Sequence, residues 1–141
     1  ITDVGLKEVA KLQKLNTLYL ARTDITDAGL KELAMLQSLE VLNLNVTEIT
    51  GTGFKDLAKL RNLTKLDLYD TQITDVGLKE VAELQKLKYL HLNHTKITDE
   101  GLKEVAKLTQ LERVQLYATK VTGEGVAELQ KTLPDCKIDW P

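Results

Sequence analysis

The sequence predicts an α/β fold built as a right-handed parallel solenoid, and three observations predict it. The 141-residue chain repeats itself with a strict period of 24 residues. Each repeat contains an amphipathic helical pattern followed by a short strand pattern that alternates between inward and outward positions. All eight glycines fall at the third or fifth residue of a repeat. Regular alternation of helix and strand places parallel strands side by side, with the helices on the outer side.

The repeats form a single domain, residues 1–141, because no unit can bury its own apolar side chains without neighbours. The units are 1–24, 25–48, 49–72, 73–96 and 97–120, followed by a shortened and altered unit at 121–141. Counted from the first residue of each unit, the framework reads I-T-D-x-G-L-K-E-V/L-A-x-L-x-x-L-x-x-L-x-L-x-x-T-x. Positions 1, 6, 9, 10, 12, 15, 18 and 20 of this framework are predicted to form the interior.

Each unit begins with a helix and ends with a strand. In the first unit, Leu6 and Val9 follow the spacing of a buried helix face. Thr2 is predicted to cap this helix, and Asp3 suits the positive end of its dipole. The segment around Leu18 alternates as a strand does, with Leu18 facing inward. The six strands are predicted near residues 17–21, 41–45, 65–69, 89–93, 113–117 and 136–139.

The repeat carries a family resemblance. The segment L-x-x-L-x-L-x-x-T followed by I-T-D-x-G-L-K-E-L-A resembles the leucine-rich repeat consensus, and in particular the cysteine-containing subclass found in F-box proteins and GALA-type arrays. The resemblance implies a curved horseshoe with a concave sheet, convex helices and a protein- or peptide-binding role. The chain departs from the family at position 23, where Thr replaces Asn or Cys. We expect these hydroxyl groups to bond backbone groups of the turn, as a threonine ladder in place of an asparagine ladder. They belong to Thr23, Thr47, Thr71, Thr95 and Thr119.

Composition excludes several classes of function. With 19 basic and 21 acidic residues, the chain has a net charge of −2, which argues against a nucleic-acid partner. No apolar run is long enough for a transmembrane helix. A single cysteine, Cys136, excludes an internal disulfide and is expected to be buried. No motif calls for a cofactor.

Function is expected where the units differ, at positions 17, 19, 21 and 22, which are predicted to project onto the concave face. All four tyrosines and both histidines fall in these columns, and Trp140 of the sixth unit is expected to follow them. Aromatic and arginine side chains are typical interface anchors. We therefore predict a non-catalytic binding module for a protein or peptide, centred on Tyr69, Tyr89, His91, Arg113 and Tyr117. The full predicted surface comprises Tyr19, Asn43, Asn45, Lys65, Asp67, Tyr69, Asp70, Tyr89, His91, Asn93, His94, Arg113, Gln115 and Tyr117.

Two alternatives remain open at this point. Asp67, Asp70, His91 and His94 lie in adjacent columns and could ligate zinc or form a hydrolytic site. The second alternative is a structural spacer or an engineered scaffold without a ligand, because residues 1–15 and 73–87 differ only at Lys11 and Glu83.

The two ends are expected to differ. The C-terminal unit breaks the pattern at Leu133-Pro134 and closes with Trp140-Pro141, as a solenoid cap does. The first unit has an ordinary apolar flank. We therefore expect the chain to be the C-terminal part of a longer protein, and expect the edge at 1–20 to fray or to mediate self-association.

Overall fold

A computed structural model describes residues 1–141 as six helices that alternate with six strands. The helices are α1 (Asp3–Val9), α2 (Asp27–Leu33), α3 (Phe54–Leu57), α4 (Asp75–Val81), α5 (Asp99–Val105) and α6 (Gly123–Thr132). The strands are β1 (Thr17–Tyr19), β2 (Val41–Asn43), β3 (Lys65–Asp67), β4 (Tyr89–His91), β5 (Arg113–Gln115) and β6 (Lys137–Asp139). Each helix contacts the helix of the next unit, and each strand pairs with the next strand. None of the helices combines the length and apolar character needed to span a membrane.

The six strands form one parallel sheet in the order β1–β2–β3–β4–β5–β6, which confirms the predicted solenoid. Strand pairing follows the sequence repeat, so that Leu42 stands beside Leu66 and Leu66 beside Leu90. These three side chains are buried, as predicted for position 18. The register of the sheet is therefore the register of the sequence.

The strands are three residues long, shorter than the predicted five. Position 22 of each unit has a left-handed backbone, with φ between 50° and 58°, and this conformation turns the chain away from the sheet. Hydrogen bonds between units nevertheless continue past the strand end, since Leu20 N–H donates to Asn43 O and Arg22 N–H donates to Asn45 O. The residues with this conformation are Arg22, Val46, Asp70, His94 and Ala118.

The threonines at position 23 bond the backbone as expected, but within their own unit. The hydroxyl of Thr47 donates to Leu44 O at 2.7 Å, and that of Thr71 donates to Leu68 O at 2.9 Å. Equivalent bonds form at Thr23, Thr95 and Thr119. Each hydroxyl therefore closes the turn after its own strand, and these bonds do not form a ladder from unit to unit.

Aspartate at position 3 links one unit to the next, a contact that the sequence analysis did not predict. Asp75 accepts hydrogen bonds from the backbone N–H and the hydroxyl of Thr98, at 2.9 and 2.7 Å. Its carboxylate also occupies the space that a Cβ atom at Gly101 would need. The Asp, Thr and Gly of the corner are thus parts of one contact between units. The same contact joins Asp3 to Thr26 and Asp99 to Thr122.

The threonines at position 2 therefore act differently from the prediction. Thr26, Thr98 and Thr122 do accept a backbone N–H of their own helix. Thr2 and Thr74 do not, so Thr2 occupies the predicted N-cap position but lacks the side-chain hydrogen bond of a cap. No aspartate is available for Thr74, because unit 3 carries Gly51 where the other complete units have Asp.

Unit 3 is the irregular unit. Gly51 has a φ of 101°, and its Cα approaches that of Gly77 so closely that no side chain would fit between them. Asp27 from unit 2 accepts four hydrogen bonds here: two from Thr50, one from the Gly51 N–H and one from the Gly53 N–H. These N–H groups face the carboxylate, and α3 begins only at Phe54.

The two ends of the solenoid differ in burial. Leu12 is 56% exposed, whereas Leu36 at the same position of the second unit is fully buried. At the other end, Trp140 packs against the core, with its ring close to Gly123 at the start of α6. The prediction that Trp140 points outward is wrong, because Ile138 pairs with Val114 and Trp140 therefore falls at an inward position. Cys136 is buried as expected, and burial raises the pKa of its thiol to about 11.

The backbone at Val46 predicts a stabilising substitution. A β-branched residue in the left-handed region is strained, whereas Asn tolerates it. We expect Val46→Asn to raise the free energy of unfolding by about 0.5–1 kcal/mol in urea titrations. Val76→Asn is the matched control, since Val76 is 72% exposed on α4, in an ordinary helix. Equal effects of the two substitutions would contradict the strain at Val46.

The four bonds to Asp27 predict a costly substitution in the same assay. We expect Asp27→Ala to lower the free energy of unfolding by about 2–3 kcal/mol, because backbone N–H groups lose a charged acceptor. Asp24→Ala serves as the control, since the exposed Asp24 side chain makes no hydrogen bond, and its effect should stay within about 0.5 kcal/mol. A loss as small as that of the control would show that Asp27 does not hold the unit together.

Candidate functional site

The concave face consists of the side chains at positions 17, 19 and 21, which project from the outer side of the sheet. The structure places all the predicted residues of these three columns there, each of them exposed or half-buried. Position 22 belongs to the turn at the edge of the sheet. Arg22, Val46 and Asp70 line a separate depression of about 490 Å³ on that edge. Asp70 and His94, both assigned to the concave surface, therefore lie in the turns at its edge.

Asp67 is the centre of a hydrogen-bonded network on the concave face. Its Oδ1 lies 2.9 Å from Nδ1 of His91, on the next strand. Its Oδ2 accepts from the amides of Asn43 and Asn45, at 3.3 and 3.1 Å, and the Tyr69 N–H donates to Oδ1 at 3.2 Å. Four concave residues from three units are thereby held around the carboxylate of Asp67.

The environment of Asp67 has opposing effects on its pKa. Burial raises the pKa, whereas the hydrogen bond and charge of His91, together with donors from Tyr69 and Asn45, lower it. The net result is a pKa below the ordinary value of 3.8. Asp67 is therefore held as a carboxylate by its neighbours.

Tyr69 is half-buried between the two histidines. Its ring centroid lies 5.5 Å from that of His91 and 5.2 Å from that of His94, the latter in an edge-to-face arrangement. The carboxamide oxygen of Asn45 accepts from the Tyr69 N–H, and that of Asn93 accepts from the Tyr117 N–H. Asn45 and Asn93, predicted to contact a partner, thus fix the turns of the following units.

The most exposed concave side chains surround this network. Tyr19 is 67% exposed, Tyr89 44% and Tyr117 45%. The Tyr89 hydroxyl donates to Glu112 at 3.0 Å, and Glu112 also accepts from Lys88 at 2.9 Å. Glu112 was missed by sequence reasoning because it lies at position 16, outside the variable columns considered. Its place immediately before the outward residue of β5 was the available signal.

The cations of the concave face differ in their partners. Arg113 Nε lies 2.6 Å from Asp139, which Lys137 also approaches at 3.6 Å. Lys65 is exposed and makes no ion pair or hydrogen bond through its ammonium group. Lys65, Tyr89 and Arg113 stand in register on consecutive strands. A groove of about 250 Å³ runs along them, lined by Lys65, Leu66, Asp67, Tyr89, Leu90, His91, Arg113 and Gln115.

A larger depression of about 570 Å³ lies on the convex side, between α5 and α6. Among its charged residues, Glu100 pairs with Lys103, and Glu128 pairs with Lys131 outside the depression. Asp99 is engaged with Thr122. The convex depression is larger than the concave groove, but size alone does not make it the better binding site. The concave groove is the better candidate because it combines aromatic rings with an unpaired cation.

The predicted metal or hydrolytic cluster does not form. Asp67 and His91 are paired, but His94 packs on Tyr69 and makes no ion pair with Asp70. No group of three or more His, Cys, Asp and Glu side chains is close enough to hold a metal ion. The second nitrogen of His91, Nε2, is buried without a hydrogen-bond partner.

The lowered pKa of Asp67 predicts a pH dependence. Because its pKa is lower folded than unfolded, Asp67 contributes stability that is fully present above the unfolded pKa and is lost as the pH falls through the folded pKa. At neutral pH we expect Asp67→Asn to lower the free energy of unfolding by about 1–2 kcal/mol. The difference from the wild type should shrink below about pH 4. Asp70→Asn, an exposed control with an unbonded side chain, should show little effect at any pH, and a constant difference for Asp67→Asn would contradict the pairing.

Comparison with solved structures finds the same fold in bacterial proteins. An internalin (inlF) from Listeria monocytogenes has a TM-score of 0.79 at 25% identity, over 94% of this chain and 36% of its own. A leucine-rich repeat protein from Leptospira interrogans has a TM-score of 0.77 at 29% identity, over 94% of this chain and 33% of its own. Internalin C2 from L. monocytogenes has a TM-score of 0.76 at 29% identity, over 96% and 55%. The chain thus spans about a third to just over half of the length of these proteins.

Comparison with family models agrees with these structures. A model described as "Leucine Rich repeats (2 copies)" matches residues 37–80, and one described as "Leucine Rich repeat" matches residues 11–34 and 83–106. Comparison with curated protein sequences gives no significant match. The matches do not assign the cysteine-containing or GALA-type subclass. The repeat models, which cover about two thirds of the chain, and the shared solenoid show that this chain belongs to the leucine-rich repeat family.

Proposed function

We propose that the chain is a non-catalytic module that binds a protein or peptide on its concave face. Leucine-rich repeat proteins generally mediate protein–protein binding. The observation that carries the proposal for this chain is that three tyrosines of the concave face, Tyr19, Tyr89 and Tyr117, are exposed. Rigid aromatic side chains supply large contact areas at low entropic cost, and they are frequent anchors of interfaces.

The concave residues divide into two roles in this proposal. The network of Asn43, Asn45, Asp67, Tyr69 and His91 is already hydrogen-bonded and forms a rigid floor. The more exposed residues supply contacts to the partner. These are Tyr19, Lys65, Tyr89, Arg113, Gln115 and Tyr117. A ligand on such a surface orders few side chains, which reduces the entropic cost of binding.

The test compares matched variants on the two faces. Wild type, the concave variant Tyr89→Ala/Tyr117→Ala and the convex variant Met35→Ala/Val76→Ala are immobilised and exposed to an extract of the source organism. Met35 and Val76 are both exposed on the helical side. Thermal unfolding confirms that all three are folded. Each truncated anchor should cost about 1–3 kcal/mol, so proteins captured by the wild type should be lost from the concave variant and kept by the convex one.

Other outcomes distinguish the alternatives. Loss of capture only in the convex variant would place the interface on the helices and contradict the proposal. No specific capture by the wild type would favour a structural spacer or a scaffold without a ligand.

A further inference from the structure

The carboxylates in and beside the groove already have partners. Asp67 receives donors from His91, Tyr69 and two asparagines. Glu112 receives Lys88 and the Tyr89 hydroxyl, and Asp139 receives Arg113. No carboxylate of the groove is left to bind a cationic side chain of a ligand.

The donors of the groove are in surplus. The ammonium of Lys65 has no partner, and Arg113 uses only Nε, so its two terminal nitrogens donate to nothing within the protein. Polar groups that become buried at an interface need hydrogen-bond partners. A ligand that covers Lys65 and Arg113 must therefore supply acceptors, and carboxylates satisfy ammonium and guanidinium groups best.

The spacing of these donors fits an extended chain. Lys65 and Arg113 flank Tyr89 in one row across β3, β4 and β5. Two strand spacings separate their backbones, which is about 10 Å. In a peptide extended as a polyproline-II helix, which has three residues per turn, residues three apart lie on the same face and about 9 Å apart, so two carboxylates at that spacing match the two cations. The exposed Tyr89 ring lies between them, beneath the intervening residues of such a peptide.

We propose that the groove binds an extended acidic segment of a partner protein, with one carboxylate on Lys65, another on the free nitrogens of Arg113 and an apolar side chain on the Tyr89 ring. This inference rests on the proposed function, of which it names the partner's chemistry. A nucleic acid also supplies anionic acceptors, but the net charge of −2 disfavours it. An oligonucleotide is therefore one arm of the test.

The probe is a capped twelve-residue peptide that carries Glu-Ser-Leu-Glu within a Gly/Ser background. Binding is followed by chemical-shift perturbation of the ¹⁵N-labelled protein. Its counterparts carry Gln or Lys at both Glu positions, and a ten-nucleotide oligothymidylate is titrated in parallel. The variant is Lys65→Met, which removes no hydrogen bond or ion pair of the fold. The control is Lys79→Met, at an exposed lysine of α4 on the opposite face.

We expect the Glu peptide to bind about three- to tenfold more tightly than the Gln peptide, with shifts centred on residues 65, 89 and 113. High salt should remove the preference. Lys65→Met should reduce it at least twofold, and Lys79→Met should leave it unchanged.

Several results would overturn the inference. These are no binding of the Glu peptide, equal binding of the Gln peptide, tighter binding of the Lys peptide or of the oligonucleotide, and an unchanged preference in Lys65→Met. In each case, capture that is lost from Tyr89→Ala/Tyr117→Ala but kept by Met35→Ala/Val76→Ala would leave the concave binding face standing. Failure of the acidic segment is thus distinguishable from failure of the proposed function.

Discussion

The apolar side chains of each unit are buried by the neighbouring units, and the other features of the structure depend on this stacking. The same leucine at position 12 is more than half exposed in the first unit and fully buried in the second, although the local sequences are alike. The difference lies in the number of flanking units. A unit that depends on two neighbours for burial must present the same faces at the same spacing as they do. The sequence period and the sheet register are therefore one constraint.

The polar corner of the repeat obeys the same constraint. An aspartate of one unit accepts hydrogen bonds from the threonine of the next unit and fills the space beside the glycine of that unit. The three residues therefore form one contact between units. Unit 3 shows the coupling, because Gly51 stands in place of the aspartate and Thr74 loses its partner. Phe54 begins a shorter helix there, and the unit is held from the other side by Asp27. The polar framework is thus as much a contact between units as the leucines are.

The sequence predicted the solenoid, the strand order and the inward columns, because a strict period states which residues stand side by side. It could not predict contacts that join unlike positions, such as Asp27 with Gly53, since a period gives neighbouring units but not the direction of a side chain within the corner. Trp140 was misplaced because the strand alternation was not carried to the end of the chain, where Trp140 lies two residues after the inward Ile138. The zinc cluster was also predicted wrongly, because a sequence column does not show where the backbone leaves the strand. The left-handed turn carries Asp70 and His94 off the strand, so only the pair on the sheet itself, Asp67 and His91, meets.

The surface that remains for function is what the stacking leaves unconstrained, and its parts are unequal. Asp67 draws the residues around it into a network that forms without a ligand, so we expect these side chains to determine the shape of the groove more than its affinity. Glu112 holds the hydroxyl of Tyr89, which leaves the ring exposed and already oriented. An anchor that is ordered before binding costs less entropy at the moment of contact. Affinity should therefore come from the tyrosines and from the hydrogen-bond donors without partners. The hydrogen-bonded network beneath them should determine which ligand shapes can contact the tyrosines and these donors at the same time.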